Sequence, residues 1–376
     1  MNHKLTKSDR NNARLSLWTS CLLAALIALL GGGGDAGARG LYVPNENSGT
    51  VSEFQGALRS GTTPPHRLNA SPDLSGGGPS TVAFDRKGNM WVSDYFLNAI
   101  VGFTKSNVRA LKLSAAPNAN IVIAQDGGQN LNGPEGIVFD ALGNLWVGSE
   151  LGHKILEYTP TQLATSGNPT PNVILNANSF NFSSPSFPLF DRAGNLWVVD
   201  EDIDNQVNGT GEVFKYNRNQ IARLPAGTQN IDPVIGIGFA QFSHLEGLAF
   251  DAGGNIWVAD QGATQIYRFI AKQLKVTGLF QDVTPPVILT TTAITDGSPC
   301  SLSIDSPYGV AVDGVGNLYV ANTGINGSNC SGSLARFSFG SIRTSGSPAP
   351  QLFISSNSSG TNLDTPNYLT WGPDLP

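Results

Sequence analysis

A unit of seventeen residues recurs five times along the chain, and this repetition constrains the fold more than any other feature of the sequence. In each copy an apolar run ends in the pattern Asp-x-x-Gly-Asn, and a second apolar run with a central aromatic residue follows. Aspartate bonds its own turn backbone and glycine takes the positive φ of a tight loop, so each copy predicts a β-hairpin. The copies are GPSTVAFDRKGNMWVSD (78–94), GPEGIVFDALGNLWVGS (133–149), SPSFPLFDRAGNLWVVD (184–200), HLEGLAFDAGGNIWVAD (244–260) and SPYGVAVDGVGNLYVAN (306–322).

Two further short apolar runs follow every hairpin, so that each copy predicts four strands. Four short strands repeated at intervals of 51 to 62 residues are the pattern of the blades of a β-propeller. Five such blades are predicted near residues 79–123, 134–175, 185–237, 245–289 and 307–354.

The two ends of the repeat array supply a sixth blade. Residues 365–372 match an innermost strand, and residues 40–69 match the other three strands of a blade. Pairing these two segments closes the ring and removes an open sheet edge. The predicted fold is therefore all-β: one six-bladed β-propeller over residues 39–376, with four antiparallel strands per blade, closed by the N-terminal and C-terminal strands in one blade.

The N-terminal 38 residues are typical of an export signal. Four basic residues precede an uncharged, mostly apolar stretch from Leu15 to Leu30, and Ala36-Gly37-Ala38 fits a small-x-small cleavage site. We predict cleavage near Ala38, a secreted or periplasmic protein, and no stable membrane span after cleavage. An uncleaved anchor is the alternative interpretation.

Cys300 and Cys330 are the two cysteines that remain after such cleavage. In an oxidising compartment they are expected to form a disulfide, and two free buried thiols are the alternative. The formal net charge of −6 and the sequence pI near 5.2 give no basic surface, which argues against a nucleic-acid partner.

Strand order predicts where a ligand site lies. In a propeller the first strand of each blade lines the axis, and its start lies on the same face as the end of the second strand. The residues at these places should surround one mouth of the axial channel, the expected place for a ligand. They are Ser80, Glu135, Ser186, Glu246, Tyr308 and Asn367 at the strand starts, and Asp94, Ser149, Asp200, Asp260, Asn322 and Asn45 at the strand ends.

Several acids fall at this mouth, together with one histidine. Glu150, Glu201 and Asp202 directly follow second-strand ends, and His244 lies just before the start of a first strand. With the acids at the strand starts and ends, they predict a localised negative ring.

The Asp-x-x-Gly-Asn-aromatic hairpins resemble NHL repeats and, more broadly, the six-bladed propellers of the gluconolactonase and senescence-marker-protein superfamily. The resemblance implies a divalent cation bound at the inner mouth by acidic and amide side chains. Glu135, Glu246 and Asn367 occupy slots of that kind, and oxygen ligands suit Ca²⁺ or Mg²⁺. A metal there can polarise a lactone or ester carbonyl while Asp260 serves as the base. The family's Glu-Gly-Pro strand entry has no counterpart in Asn367-Tyr368-Leu369.

Two functions from different classes follow. The first is an exported binding module that takes a small molecule, a glycan or a protein at the acidic mouth without catalysis, with Ca²⁺ or Mg²⁺ as a possible cofactor. Its candidate ligand-binding residues are Glu135, Glu246, Asn367, Asp94, Asp200, Asp260 and His244. The alternative is a divalent-metal-dependent lactonase or esterase. For Asp94, Asp200 and Asp260 a purely structural role is the competing interpretation, since NHL repeats carry aspartate there without catalysis.

Overall fold

The computed structural model describes residues 39–54, 66–68, 74, 76–110, 117–201, 211–275, 277–295, 300–324, 330–356 and 363–373. The predicted signal segment, residues 1–38, and Asp202 lie outside the described residues. Within them the chain forms six sheets, one for each predicted blade, and the predicted six-bladed β-propeller is confirmed. No helix of these residues is long and apolar enough to cross a membrane.

The strands lie close to where the repeats predict them. Blade 6 is the split blade and contains β1 (Arg39–Asn45), β2 (Thr50–Phe54), β3 (His66–Leu68) and β26 (Thr370–Pro373). Blade 1 contains β4 (Pro79–Phe84), β5 (Met90–Asp94), β6 (Ala99–Phe103) and β7 (Ile121–Ala124), and blade 2 contains β8 (Pro134–Phe139), β9 (Leu145–Ser149), β10 (Lys154–Tyr158) and β11 (Val173–Asn176).

The other three blades repeat this plan. Blade 3 contains β12 (Pro185–Phe190), β13 (Leu196–Asp200), β14 (Glu212–Tyr216) and β16 (Ile235–Gly238). Blade 4 contains β17 (Leu245–Phe250), β18 (Ile256–Asp260), β19 (Gln265–Phe269) and β21 (Val287–Leu289), and blade 5 contains β22 (Pro307–Val312), β23 (Leu318–Asn322), β24 (Ser333–Phe337) and β25 (Leu352–Ser355). Two short helices, α1 (Lys105–Ala110) and α2 (Arg218–Ile221), follow the third strands of blades 1 and 3.

The ring closes through the split blade. Strand β1 pairs antiparallel with β26 on one side and with β2 on the other. The innermost strand was expected to begin at residue 365, whereas β26 begins at Thr370. The preceding residues still follow β1, because Asn45 bridges Pro366 and the amide of Asn367 donates to the carbonyl of Pro44.

Two blades carry a fifth strand that the repeats do not predict. Strand β15 (Gly227–Asn230) pairs parallel with β11, and β20 (Gly278–Asp282) pairs parallel with β16. In both cases a segment that follows the third strand of one blade bonds the outer edge of the preceding blade. The extra strands thus satisfy edge groups that four strands would leave unpaired, and they tie neighbouring blades together.

The repeated Asp-x-x-Gly-Asn pattern builds a dense hydrogen-bonded turn. In blade 3, Asp191 accepts bonds from the amides of Ala193 and Asn195, from the Asn195 side chain and from the Trp197 indole, at 2.7 to 3.0 Å. Gly194 has a φ of 81°, which favours glycine at this position. The side-chain oxygen of Asn195 accepts a hydrogen bond from the backbone N–H of Arg218, which ties the turn to the end of the third strand.

Six apolar clusters fill the spaces between adjacent blades. In most of them the central aromatic residue of a second strand packs against an aromatic residue at the end of the next blade's first strand. Trp91 meets Phe139 with ring centroids 6.1 Å apart, and Trp197 meets Phe250 at 5.9 Å. The central aromatic residues of the second strands are buried.

The predicted disulfide is present. Cys300 and Cys330 are bonded, and both are buried. The bridge joins the segment before β22 to the segment before β24, so it fastens two connections of blade 5 on the face that carries the second-strand ends.

The turn network predicts a measurable loss of stability in Asp191→Ala. The substitution leaves four N–H donors without their acceptor, and we expect the free energy of unfolding to fall by about 2–3 kcal/mol. Urea unfolding measures the change. Asp282→Ala, at an exposed acid on β20, is the control and should unfold as the parent does. Equal midpoints for the two variants would contradict the proposed role of the turn.

Candidate functional site

The first strands of five blades carry a bulge directly after their start. The pairing register shifts between Pro134 and Ile137 in blade 2, between Leu245 and Leu248 in blade 4, and at the matching place in blades 1, 3 and 5. A bulge re-aims the side chains within it. The bulged residues include the predicted axial positions Ser80, Glu135, Ser186, Glu246 and Tyr308.

Close packing at the axis leaves room for few side chains. A Cβ on Gly136 would lie 2.7 Å from the Cα of Phe187, and one on Gly309 would lie 2.7 Å from the Cα of Tyr368. Glycine at these places therefore allows the neighbouring first strands to approach. The space is taken by three aromatic rings: Tyr368 lies 4.6 Å from Phe187 and 4.9 Å from Tyr308 between ring centroids.

Two glutamates meet at these tyrosines. The hydroxyl of Tyr368 lies 2.8 Å from Oε2 of Glu135 and 2.9 Å from Oε2 of Glu246, so it bridges two blades. The hydroxyl of Tyr308 donates to Oε1 of Glu135 at 2.9 Å. Sequence placed Glu135 and Glu246 at the mouth, and the structure brings them together through a tyrosine that the sequence reasoning did not select.

A third glutamate and a histidine complete the cluster. Nε2 of His244 lies 3.1 Å from Oε1 of Glu246 and 3.3 Å from Oε2 of Glu201. The side chain of Glu201 is also within hydrogen-bonding distance of the carboxyl groups of Glu135 and Glu246. The three glutamates are almost fully buried, whereas the His244 side chain keeps 30% of its surface exposed. We call Glu135, Glu201, His244 and Glu246 the acidic mouth.

Burial and mutual repulsion shift the protonation of the whole cluster. Burial, with the negative charge of Glu246, raises the pKa of Glu201 to about 8, although the hydrogen bond from His244 opposes the change. Burial and neighbouring carboxylates also raise the pKa of Glu135 and of Glu246 well above the usual range. Burial alone would lower the pKa of His244, but Glu201, Asp260 and Glu150 outweigh it, and the net shift is upward.

The predicted residues at the second-strand ends face the adjoining loops. Asp260 accepts backbone bonds from Ser243, His244 and Ala263 at 2.9 to 3.0 Å. Asp200 accepts the amides of Ser183 and Ser184, and Asp94 accepts those of Gly78 and Leu97. Asn45, Ser149 and Asn322 bind backbone groups of adjoining loops in the same way. These contacts favour the structural interpretation, and the assignment of Asp260 as a catalytic base stays a prediction.

The assignment of Asn367 as a metal ligand stays a prediction: its Oδ1 is buried and has no hydrogen-bond partner among the described residues. Its amide donates to Glu46 at 3.4 Å, and the next residue, Tyr368, approaches Glu135 and Glu246 instead. The pairing register of blade 6 matches that of blade 2, because Asn45 bridges Pro366 as Ser149 pairs with Pro134. Tyr368 therefore occupies the position that is Gly136 in blade 2, and its side chain reaches the axis from there. The signal available in the sequence was the glycine after the slot in blades 2, 4 and 5, which contrasts with Phe187 and Tyr368 in blades 3 and 6.

The acidic mouth fits a metal ion. Glu201, His244 and Glu246 each offer a ligand atom, and these atoms lie within 4.8 Å of one another. Oε1 of Glu201 is buried and receives no hydrogen bond from any described N–H or hydroxyl group. The donor set differs from the oxygen-only ligands expected for Ca²⁺ or Mg²⁺, because imidazole nitrogen suits Zn²⁺ and other transition metals.

Comparison with known proteins identifies the fold. No protein-family model and no curated protein matches the chain. A solved nidogen/laminin complex contains a chain that is 14% identical, with a TM-score of 0.55 over 90% of this chain and 100% of that chain. Virginiamycin B lyase from Staphylococcus aureus is 14% identical over 79% of this chain and 80% of that chain, with a TM-score of 0.44. A gluconolactonase from Xanthomonas campestris is 15% identical over 69% of this chain and 72% of that chain, with a TM-score of 0.42.

The chain from the nidogen/laminin complex shares the fold of this chain. At identities this low the likeness shows a common fold and leaves the activity open. The six-bladed propeller that the predicted resemblance implies is confirmed as the fold of the described residues.

The raised pKa values predict that stability falls as the pH rises. Glu135, Glu201 and Glu246 hold protons in the folded state over a range in which the unfolded chain has lost them, and the upward shift of His244 acts in the same direction. Unfolding free energy should therefore decrease between about pH 5 and pH 8. Urea unfolding in the presence of a chelator measures this slope, and Glu201→Gln should make it shallower. A slope that is unchanged in the variant would contradict the assignment.

Proposed function

We propose that the protein is an exported NHL-type propeller that binds a positively charged ligand at the acidic mouth. Export is supported by the basic and apolar pattern of residues 1–38 and by the disulfide between Cys300 and Cys330. In this proposal cleavage near Ala38 releases residues 39–376 as one propeller domain in the periplasm or outside the cell. The ligand is a small cation or a cationic group of a larger partner.

The observation that carries the proposal is the density of buried carboxyl groups. Glu135, Glu201 and Glu246 share one desolvated site with a single imidazole, so that full ionisation leaves uncompensated negative charge. Such a site holds extra protons or takes a cation, because an unpaired buried charge is costly. The exposed part of His244 gives access from solvent. A cation that enters there meets carboxylates already held in place by Tyr308 and Tyr368.

Protein partners are compatible with this proposal. The nidogen/laminin structure is a protein–protein complex that contains a chain of the same fold. For this chain, a partner that presents a basic side chain would match the charge of the mouth.

Cation titration tests the proposal. We expect at least one of methylammonium, Mg²⁺, Ca²⁺, Mn²⁺ and Zn²⁺ to raise the melting temperature at pH 8, close to the raised pKa of Glu201. At one hundred times the dissociation constant the stabilisation is about 2.7 kcal/mol. Glu246→Gln keeps the size of the side chain and removes its charge. We therefore expect the variant to need at least ten times more ligand for the same rise in melting temperature.

The matched control is Glu157→Gln. Glu157 is a buried glutamate on β10 that bonds Asn172, and its substitution should leave the cation response unchanged. A protein that responds to none of these cations, or a response that survives in Glu246→Gln, would refute the proposal.

A divalent-metal-dependent lactonase or esterase is the second candidate, and the convergence of Glu201, His244 and Glu246 favours it. These three residues would hold the metal, which would supply a Lewis acid for a lactone or ester carbonyl. Tyr308 and Tyr368 orient Glu135 and Glu246, and the aromatic rings exclude water from one side of the site.

This second candidate predicts hydrolysis of at least one compound in a panel of lactones and aryl esters after loading with Zn²⁺, Mn²⁺, Mg²⁺ or Ca²⁺. Glu246→Gln should lower kcat/KM by about 100-fold or more, because it removes one of the three ligands that would hold the metal. Asp260→Asn tests the predicted base. Metal binding without turnover in the panel would leave the binding proposal as the better account and reject the hydrolase.

A further inference from the structure

An exposed apolar surface borders the acidic mouth on one side. Phe96, Leu97 and Leu151 keep 58%, 42% and 47% of their surface exposed. They lie in the turns between the second and third strands of blades 1 and 2, on the face that carries the mouth. The matching turns are polar or small in blade 6, at 46–48, and in blade 4, at 261–263. We call Phe96, Leu97 and Leu151 the apolar rim.

Direct contacts join the apolar rim to acidic residues. The ring of Phe96 packs edge-on against Tyr95 at 5.3 Å, and the hydroxyl of Tyr95 is hydrogen-bonded to Glu150. Leu151 follows Glu150 in the chain, and a Cβ on Gly133 would touch both Leu151 and Tyr95, so these two side chains lie side by side. The charge of Glu150 in turn raises the pKa of Glu135, Glu201 and Glu246.

The opposite side of Phe96 is also acidic. A Cβ on Gly78 would lie 2.7 Å from the Phe96 ring and 3.1 Å from Cγ of Glu46. The charges of Glu46 and of the mouth glutamates all act on Tyr308. The apolar rim thus lies between Glu46 and Glu150, which both belong to the same electrostatic cluster as the acidic mouth.

A buried oxygen in the mouth independently points to a ligand. Oε1 of Glu201 is inaccessible and receives no hydrogen bond from the N–H and hydroxyl groups of the described residues. Its carboxyl neighbours, Glu135 and Glu246, supply a donor only when they are protonated. An ammonium group has three donors and a positive charge, so it satisfies such an oxygen at any state of the neighbouring carboxyl groups.

We infer that the acidic mouth, if it binds cations as proposed above, selects a small organic ammonium ion that carries an apolar chain. The ammonium group binds the carboxylates of Glu201 and Glu246, and the chain lies on Phe96 and Leu151. The inference rests on the proposed function and adds the apolar half of the ligand. An inorganic cation uses only the first of these two adjoining surfaces, whereas an amphiphilic cation uses both.

A series of n-alkylammonium ions tests this inference. Binding of methylammonium through hexylammonium is measured by calorimetry at pH 8, with a chelator present and with hexanol as the neutral reference. We expect affinity to rise roughly three- to fourfold for each methylene that contacts the apolar rim. Hexanol should bind at least tenfold more weakly than hexylammonium, because it lacks the charge.

Substitutions in the apolar rim separate its contribution from that of the charge. Phe96→Ser and Leu151→Ser should each weaken hexylammonium binding by about tenfold and leave methylammonium binding within twofold. Leu142→Ser is the matched control, since Leu142 is 76% exposed but lies in the hairpin turn at the other end of the blade. It should leave both affinities unchanged.

The outcomes distinguish the inference from the function on which it rests. If methylammonium or a metal ion binds but chain length and the Phe96→Ser and Leu151→Ser substitutions have no effect, the inference fails and the cation-binding function stands. If no cation binds, both fail. If the peptide acetyl-Leu-Lys-Leu-amide binds more than tenfold tighter than hexylammonium and depends on Phe96, the occupant is a protein segment, and the small-molecule assignment is overturned.

Discussion

The contact between one blade and the next holds this molecule together. Each second strand presents an aromatic ring to the adjacent blade, as Trp91 does to Phe139, and six such apolar layers close on themselves. A single four-stranded sheet has two faces to cover and cannot bury both without a neighbour on each side. The pairing of β1 with β26 completes blade 6, and it is therefore a condition for the two apolar layers that join this blade to blades 5 and 1.

The same closure creates the chemistry at the axis. First strands from six directions converge there, and glycines such as Gly136 and Gly309 let their backbones approach until only a few side chains fit. Glutamates at these positions are removed from water and placed against one another. The raised pKa values of Glu135 and Glu246 are thus a result of ring geometry as much as of residue type. Tyr308 and Tyr368 offset part of the cost by donating hydrogen bonds.

The repeats made the architecture predictable because the same Asp-x-x-Gly-Asn hairpin pattern recurs in five of the six blades. Glu135 and Glu246 were also accessible from sequence, since strand order alone puts strand starts around the axis. The grouping of Glu246 with Glu201 and His244 was harder to foresee, because it depends on where a bulge and a turn aim three side chains. Tyr368 was missed because it occupies the position after the strand start, which is glycine in blades 2, 4 and 5, and only the folded ring shows that its hydroxyl reaches Glu135 and Glu246.

The residues at the second-strand ends have a consequence for how such a protein evolves. Asp94, Asp200 and Asp260 fasten the mouth loops by accepting backbone N–H groups, which every residue except proline provides. The loops can therefore change their side chains without losing their attachment. The side chains that line the mouth can therefore vary, while the turns, the bulges and the closed ring of the propeller are retained.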